Sequence, residues 1–325
     1  MAVIENAKVT VVGAGAVGSA TAYALMIRGA AREVVLYDID DARATAEALD
    51  LAHGAMFTGA SEVVGTSDVG RAAGSHVIVV TAGAAQRPGQ TRLELVETNA
   101  RIMASLIPSL VEASPRAIVI IVTNPCDVLA TLAVEQTGAD PARMFASGCV
   151  LDTSRLRLAL ARRAGVDPRS VHAHIVGEHG DSEFPLWSSA RIGPIPVTEW
   201  DDSFTPDELD AIATEVRTAA YSVIEGKGAT NYAIGLSSTR IVEAVLATSG
   251  RSCPSRRDSR APSVSTESPS RCRRSSGPRA RCRSTGSASR RPSTSCSRAR
   301  RRRSPRRPRR CGRGCRGDSF VRACP

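Results

Sequence analysis

The chain has 325 residues and a formal net charge of +11, but the charge is unevenly distributed. Residues 251–325 contain 24 arginines, no lysine, leucine or isoleucine, and only three acidic residues. Residues 1–250 therefore keep 19 basic and 29 acidic side chains and are acidic as a group. Because a segment without leucine or isoleucine cannot bury a core, the composition excludes a further folded domain in 251–325.

The sequence also argues against membrane or secreted classes. No apolar run reaches about 18 residues, so we expect no membrane span. Met1 to Asn6 lacks a basic start and an apolar core, so we expect no signal peptide there. Only Cys126 and Cys149 of the nine cysteines precede residue 251. This sparse usage indicates a reducing compartment, and we expect a cytoplasmic location.

The first elements predict a strand, a glycine turn, a helix and a second strand. Lys8 to Val12 is an apolar strand that leads directly into the turn from Gly13 to Gly18. Ser19 to Arg28 is rich in Ala, Leu and Met and ends at Gly29, which indicates a helix. Glu33 to Tyr37 is a second apolar strand, and Asp38 follows it.

This order predicts a dinucleotide-binding site. Gly13 permits the tight turn, Gly15 lets a pyrophosphate approach the backbone, and Gly18 packs the helix on the strand. The amide dipoles of the helix N-terminus favour the phosphates. Asp38 would bind the ribose hydroxyls and repel a 2′-phosphate, which favours NAD over NADP. The alternative is a glycine-rich turn of an unrelated α/β domain.

Two further apolar runs, Val77–Val80 and Ala117–Val122, are too continuous to be half-exposed strands, and we expect both inside a parallel sheet. Ligands of such sheets bind beyond the carboxyl ends of the strands. The loops Thr81 to Ala84 and Thr123 to Pro125 are therefore candidate cleft loops.

A later turn presents one histidine for proton transfer. His179 lies between Gly177 and Gly180, directly after the apolar residues Ile175 and Val176. Histidine is the side chain whose ordinary pKa suits proton exchange near neutrality, so His179 is a candidate general acid and base. The alternative is a histidine with a purely structural role.

From about residue 7 to 247 the chain resembles the L-lactate/malate dehydrogenase family, in particular its bacterial members. The matching segments are the glycine turn 13–18, Tyr37–Asp38, Gly83–Arg92, Thr123–Pro125, Leu151–Arg155, Gly177–Asp181 and Lys227–Thr230. The resemblance implies reversible NAD-dependent hydride transfer between pyruvate and (S)-lactate, with malate or another 2-hydroxy acid as the alternative substrate. It implies no metal ion.

In this family pattern His179 is the acid and base, and Asp152 accepts a hydrogen bond from its other ring nitrogen. Asp152 has the alternative role of a helix N-cap, since an Arg/Leu/Ala-rich segment follows it. Arg155, one helical turn later, would hold the substrate carboxylate through two hydrogen bonds. Its alternative is a solvated helix arginine.

The segment 85–91 matches a lid that closes over the cleft and brings Arg92 to the ketone oxygen. The alternative is a flexible surface loop. Gln86 stands where malate dehydrogenases carry an arginine, and a neutral amide cannot pair with a second carboxylate, so pyruvate is favoured. If the loop were shifted by one residue, Arg87 could serve the malate role.

Other positions complete the implied site. Asn124 would bind the substrate oxygen, Thr230 would border the substrate methyl group, and Ile234 would back the nicotinamide ring or simply pack in the core. The implied cofactor-binding set is Gly13, Gly15, Val17, Gly18, Asp38, Gly83, Ala84, Thr123, Asn124 and Ile234.

Bacterial members of this family are often tetramers activated by fructose 1,6-bisphosphate. Arg157 and His172 match the cations that bind its phosphates across a subunit interface, and a solvated surface is the alternative. We therefore expect an allosteric homotetramer, provided that the C-terminal part is intact.

Residues 251–325 allow three interpretations. The first is an Arg/Ser-rich arm that binds nucleic acid, which would define a protein of another class. The second is a disulfide or metal module, but its seven cysteines follow no zinc-binding spacing apart from one C-x3-C pair.

The third interpretation, which we favour, is a shifted reading frame in a GC-rich gene. In one shifted frame Ser252–Arg256 becomes compatible with Leu-Pro-Val-Ser and Pro269–Gly277 with Leu-Ser-Val-Pro-Thr-Val-Val-Gly, strings similar to the family's C-terminal strands. The nucleotide sequence around codons 246–256 distinguishes this interpretation from a genuine basic arm.

The predicted fold class is α/β, with a Rossmann-type doubly wound parallel sheet and a second α+β domain. We expect the NAD-binding domain in residues 1–147 and a truncated substrate domain in 148–250. Residues 251–325 would be a disordered basic tail.

Overall fold

A computed structural model describes residues 6–59, 61–84 and 92–247, except for the side chains of Arg92 and Leu93. The predicted positions Gln86 and Arg87, the segment 85–91 and residues 251–325 lie outside this range.

A six-stranded sheet with only parallel pairings forms the first half of the fold. Its strands are β1 (Lys8–Val12), β2 (Glu33–Tyr37), β3 (Glu62–Thr66), β4 (Val77–Val80), β5 (Ile118–Ile121) and β6 (Met144–Ala146). Their spatial order is β3-β2-β1-β4-β5-β6. The strand order reverses between β1 and β4, which is the crevice where doubly wound sheets bind ligands.

Seven α-helices lie in the described part of the chain. They are α1 (Ala16–Arg28), α2 (Asp41–His53), α3 (Arg92–Ala113), α4 (Cys126–Thr137), α5 (Val150–Ala164), α6 (Pro206–Lys227) and α7 (Tyr232–Leu246). The helix predicted from Ser19 begins three residues earlier, at Ala16, because Gly15 is extended and already forms the N-cap. No helix among the described residues has the length and hydropathy required to cross a membrane.

Alternating strand residues build a core on each face of the sheet. Val9 and Val11 of β1 pack in the cluster that includes residues of α1, α2 and α7. Val12 of β1 packs on the other face, in the cluster that includes residues of α3 and α4. Both faces are therefore covered, which confirms the expectation from the continuous apolar runs.

The second half of the fold is a mixed α and β region. Its short strands are β7 (Val171–His172), β8 (Ile175–Val176), β9 (Phe184–Pro185), β10 (Arg191–Ile192) and β11 (Ile195–Pro196). They form a three-stranded sheet, β11-β10-β7, and the pair β8-β9, all antiparallel. A third apolar cluster, with Leu156 of α5 and Ile212 of α6 fully buried, packs beside them.

Helix α7 joins this half to the nucleotide-binding half. Ile241, Val242 and Leu246 of α7 belong to the same core cluster as α1. A Cβ at Gly235 would lie 2.6 Å from the carbonyl oxygen of Ala20, so the two helices approach more closely than a side chain would allow. The absence of a side chain at Gly235 therefore sets the spacing of α1 and α7.

Candidate active site

The carboxyl ends of four neighbouring strands meet at one edge of the sheet. Val12 pairs with both Tyr37 and Val80, and Val80 pairs in turn with Ile121. The glycine turn, Asp38 and the two predicted cleft loops follow these residues directly. The sheet thus brings together segments that are more than 100 residues apart in sequence.

The three glycines of the turn meet different steric demands. Gly13 has φ +102°, and a Cβ there would lie 2.8 Å from the backbone nitrogen of Ala82. A Cβ at Gly18 would lie 1.7 Å from the carbonyl oxygen of Gly13. Gly15, in contrast, has no atom within 4 Å of its Cβ position. The space above the start of α1 is therefore open, which fits a pyrophosphate close to the backbone.

Asp38 lies beside the glycine turn. Its Oδ2 accepts a hydrogen bond of 2.6 Å from the amide of Ala14, and its Oδ1 accepts one of 3.1 Å from the amide of Asp40. These bonds fix the carboxylate at the end of β2. A fixed anion at this point suits ribose hydroxyls and repels a phosphate.

The two cleft loops are joined by Asn99 of α3, a residue that our sequence analysis missed. Its Oδ1 accepts a hydrogen bond from the amide of Ala84 at 2.8 Å, and its Nδ2 donates to the carbonyl of Asn124 at 2.8 Å. Thr123 adds a bond from its hydroxyl to the carbonyl of Ala82 at 2.7 Å. Asn99 is 1% exposed, so one buried amide holds both loops in position.

His179, Asp152 and Arg155 form a contiguous group. Nδ1 of His179 lies 2.6 Å from Oδ2 of Asp152, and Nη1 of Arg155 donates to Oδ1 of Asp152 at 2.7 Å. Asp152 is the third residue of α5, whose N-cap is Cys149, so the alternative role of Asp152 as an N-cap is wrong. Its carboxylate contacts the side chains of His179 and Arg155 instead.

The histidine turn is attached to the nucleotide edge through Asp127. The backbone amide of His179 donates to Oδ2 of Asp127 at 2.9 Å. Asp127 lies in the first turn of α4, directly after the cleft loop Thr123 to Pro125, whose Asn124–Pro125 peptide is cis. This contact brings the imidazole to the end of the sheet where the glycine turn lies.

The surroundings of His179 and Asp152 favour their charged forms. Burial raises the pKa of Asp152, but the hydrogen bond and charge of His179, together with Arg155, lower it more, so the net pKa is below its usual value. Burial lowers the pKa of His179, whereas hydrogen bonds and charges of Asp152 and Glu183 raise it to about 10. The pair therefore stabilises an imidazolium that holds the proton needed for donation.

Glu183 is a second buried acid of this group that the sequence analysis missed. It is 4% exposed, and its Oε2 lies 3.7 Å from Nδ1 of His179. In the sequence it follows the polar residues Asp181 and Ser182 and has the appearance of a solvated turn residue. Its burial results from the pairing of β8 with β9, in which Val176 lies opposite Phe184.

The other predicted residues lie at several places around the cleft. Val17 and Ile234 are partly buried and pack against the core cluster of α1 and α7. Thr230 is partly buried and Asn124 is exposed. Arg92 is the first residue of α3, and its side chain lies outside the described set.

The two predicted effector residues are neighbours in the fold. Nε of Arg157 donates to the carbonyl of Ala173 at 2.9 Å, and Ala173 directly follows the exposed His172. Burial lowers the pKa of Arg157. This hydrogen bond brings the guanidinium of Arg157 to the backbone next to His172.

The doubly wound sheet with its glycine turn and fixed acid, next to a histidine–aspartate pair, defines an NAD-dependent oxidoreductase. The model of the lactate/malate dehydrogenase NAD-binding domain matches residues 7–146, and that of the family's α/β C-terminal domain matches residues 149–256. The chain therefore belongs to the lactate/malate dehydrogenase family.

Similar proteins agree with this assignment. The chain is 45% identical over 256 residues to an L-lactate dehydrogenase of Bifidobacterium animalis subsp. lactis, covering 77% of this chain and 80% of the relative. It is 46% identical over 244 residues to an L-lactate dehydrogenase of Thermus aquaticus, covering 74% and 78% of the two chains.

Solved structures agree as well. A lactate dehydrogenase enzyme from a Medee basin deep-sea metagenome library is similar with a TM-score of 0.74 at 38% identity, covering 78% of this chain and 81% of that one. A minor L-lactate dehydrogenase of Enterococcus mundtii in a ligand-bound form gives a TM-score of 0.71 at 39% identity, covering 74% and 78% of the chains.

Proposed function

We propose that the chain is an L-lactate dehydrogenase that interconverts (S)-lactate and pyruvate. The observation that carries this proposal is the group in which one aspartate holds both His179 and Arg155, at 2.6 and 2.7 Å. A proton donor and a carboxylate-binding cation are thereby fixed side by side, which is what reduction of a 2-keto acid needs. The names of the similar proteins support the same activity.

NAD fits the open edge of the sheet, and when bound it supplies or accepts the hydride. The amides at the start of α1, above the open space at Gly15, would hold its pyrophosphate, and Asp38 would hold the adenosine ribose. The loop residues Gly83, Ala84, Thr123 and Asn124, together with Val17 and Ile234, would border the rest of the cofactor.

His179 would donate a proton from Nε2 to the keto oxygen during reduction and accept it from the hydroxyl during oxidation. Asp152 keeps the hydrogen on Nδ1 and so leaves Nε2 for the substrate. Because the aspartate also stabilises the imidazolium, the proton is available before the hydride arrives. Arg92 would polarise the ketone when the segment 85–91 closes.

Arg155 would bind the substrate carboxylate. Only its Nη1 is bonded to Asp152, so the guanidinium retains further N–H donors. Its side chain is 19% exposed, and an ion pair is stronger when water is largely excluded. Asn124 and Thr230 would contact the remainder of the substrate.

The test of substrate choice is NADH oxidation with pyruvate and with oxaloacetate. We expect kcat/KM to be higher for pyruvate by on the order of 10²-fold, about 3 kcal/mol, because Gln86 cannot pair with the second carboxylate of oxaloacetate. The matched variant Gln86→Arg should move the preference toward oxaloacetate. A wild-type preference for oxaloacetate would show that Arg87 serves the malate role.

We also propose that fructose 1,6-bisphosphate activates a homotetramer through Arg157 and His172. Their proximity, through the bond of Arg157 to Ala173, supports a shared phosphate site. We expect the effector to lower the apparent KM for pyruvate by about tenfold, within the usual range of allosteric coupling. The variant His172→Gln should reduce this response but retain the basal rate, and an unchanged KM in the wild type would contradict the proposal.

We further propose a domain boundary between residues 147 and 148, with the NAD-binding domain in 1–147 and the substrate domain in 148–250. The two family models support it, since one ends at residue 146 and the other begins at 149. A reducing cytoplasm is supported by Cys126 and Cys149, which are buried free thiols. The shifted-frame interpretation of 251–325 stays a prediction.

A further inference from the structure

We propose that Glu183 stays protonated beside the Asp152–His179 pair. As a neutral acid it positions this pair and leaves Asp152 as the one negative charge that balances the imidazolium of His179. The inference rests on the proposed function, because it assigns a positioning residue for that reaction. Glu183 acts through Asp152 and His179, without touching the substrate itself.

The geometry brings two carboxyl groups to one imidazole. Oδ2 of Asp152 lies 2.6 Å from Nδ1 of His179, and Oε2 of Glu183 lies 3.7 Å from the same nitrogen. The side chains of the two acids are only 2% and 4% exposed. Carboxylate oxygens of Asp152 and Glu183 also lie within 4.8 Å of each other and of Sγ of Cys149.

Two carboxylates this close and this buried cannot both ionise at low cost, so one of them keeps its proton. Asp152 has two cationic partners, Arg155 and His179, each at hydrogen-bond distance. Among the described residues, the one cation within 4.0 Å of the carboxyl of Glu183 is His179, at 3.7 Å, whereas Arg217 donates to the backbone carbonyl of Glu183 at 3.3 Å. The proton therefore belongs on Glu183.

Burial and the neighbouring anion favour the neutral form of Glu183, against the opposing effect of the nearby cation His179. Among the described residues, Cys149, Asp152, His179 and Arg217 lie next to Glu183, and Asp127 and Arg155 contact His179 and Asp152 in turn. Burial raises the pKa of Glu183, and the charge of Asp152 raises it further against the opposing effect of His179. Burial likewise keeps the thiol of Cys149 protonated, since its pKa is raised.

A neutral Glu183 matters for proton transfer. An ionised Glu183 would add a second negative charge that raises the pKa of His179. With Glu183 neutral, Asp152 is the one anion among the described residues that has an oxygen within 4.0 Å of the imidazole, so no second charge holds the proton on His179. The imidazolium then forms readily but still releases its proton to the substrate.

The experiment detects the proton on Glu183 directly and needs no turnover. Infrared spectra of the full chain at neutral pH should contain the carbonyl stretch of a buried neutral carboxylic acid. We expect this band to disappear in the variant Glu183→Gln and to persist in the matched control Glu178→Gln. Glu178 is an exposed acid of the same turn.

The pH profile of pyruvate reduction gives the second readout. Because glutamine resembles the neutral acid, we expect the limb that reports His179 to move by less than about half a unit in Glu183→Gln. Removal of an ionised glutamate would lower it by about 1–3 units instead, and that result would overturn the proposal.

The infrared test separates this proposal from the proposed function. A wild-type spectrum without the neutral band, or a band that persists in Glu183→Gln, would overturn the proposal even in an active enzyme. If Glu183→Gln does not fold, Glu183→Met removes the same band and serves in its place. A chain that has the band but does not reduce pyruvate would contradict the proposed function and leave the protonation of Glu183 supported.

Discussion

The variant His179→Asn should reduce kcat/KM for pyruvate reduction by about 10²–10⁴-fold, the contribution of a positioned general acid. Asparagine is polar and similar in length, but its amide cannot deliver a proton near neutral pH. Steady-state rates of NADH oxidation measure the loss. NADH binding, followed by fluorescence titration, should be retained because the glycine turn and Asp38 are unchanged.

The matched control for this variant is His53→Asn. His53 is an exposed residue in the last turn of α2 and has no place in the proposed site. We expect wild-type turnover from it. If His179→Asn also kept wild-type turnover, the proton would come from another group and the proposed mechanism would be wrong.

The nucleotide-binding edge could be predicted from the sequence because its determinants are local. Gly13, Gly15 and Gly18 lie in one turn, and Asp38 follows the next strand, so the pattern of strand, turn and helix defines the edge without knowledge of distant contacts. The sheet and its two covered faces follow from the continuous apolar runs, and the observed parallel pairings agree with the predicted doubly wound sheet.

The support of the active site could not be predicted in the same way. Asn99, Asp127 and Glu183 are polar residues whose burial depends on contacts with segments 25 to 52 positions away or on a two-residue strand pair. On a predicted helix or turn each of them has the pattern of an ordinary solvated side chain. Only the packed structure shows that they hold the cleft loops and the imidazole.

The two corrections have local physical reasons. Helix α1 begins at Ala16 because extended Gly15 already caps it, so the third glycine lies inside the helix. Asp152 is not an N-cap because α5 begins at Val150, two residues before it. Each offset is three residues, because Ala16 precedes Ser19 by three positions and Asp152 follows the N-cap Cys149 by three.

The variant Asp152→Asn should reduce kcat/KM for pyruvate reduction by on the order of 10²-fold at neutral pH. The amide keeps the shape of the carboxylate but removes the negative charge that holds the imidazolium and Arg155. The rate needs a protonated His179, so in the wild type it falls as the pH rises through the pKa of His179. Because Asp152 raises the pKa of His179, the rate of Asp152→Asn should fall at a lower pH than that of the wild type.

The same change should alter the pH dependence of stability. A histidine whose pKa is raised by folding contributes stability that is fully present below about pH 6.5 and is lost as the pH rises through its raised folded pKa. Urea unfolding of the wild type at pH 7 and at pH 10 should show this loss. Asp152→Asn should show a smaller difference between the two pH values, and Asp210→Asn, an exposed change in α6, should match the wild type.

Glu183 determines how far Asp152→Asn moves the limb of the pH profile that reports His179. Once Asp152 is neutral, its negative charge no longer opposes ionisation of Glu183, whose Oε2 lies 3.7 Å from Nδ1 of His179. It can then serve as a substitute anion, so we expect Asp152→Asn to shift the limb by about one unit and the double variant Asp152→Asn/Glu183→Gln by about 2–3 units. The shift of the double variant should exceed the sum of the single shifts, because Glu183→Gln alone removes only a neutral acid. Additive shifts would mean that Glu183 carries the same charge in both backgrounds. They would contradict the prediction that Glu183 ionises once Asp152 is neutral.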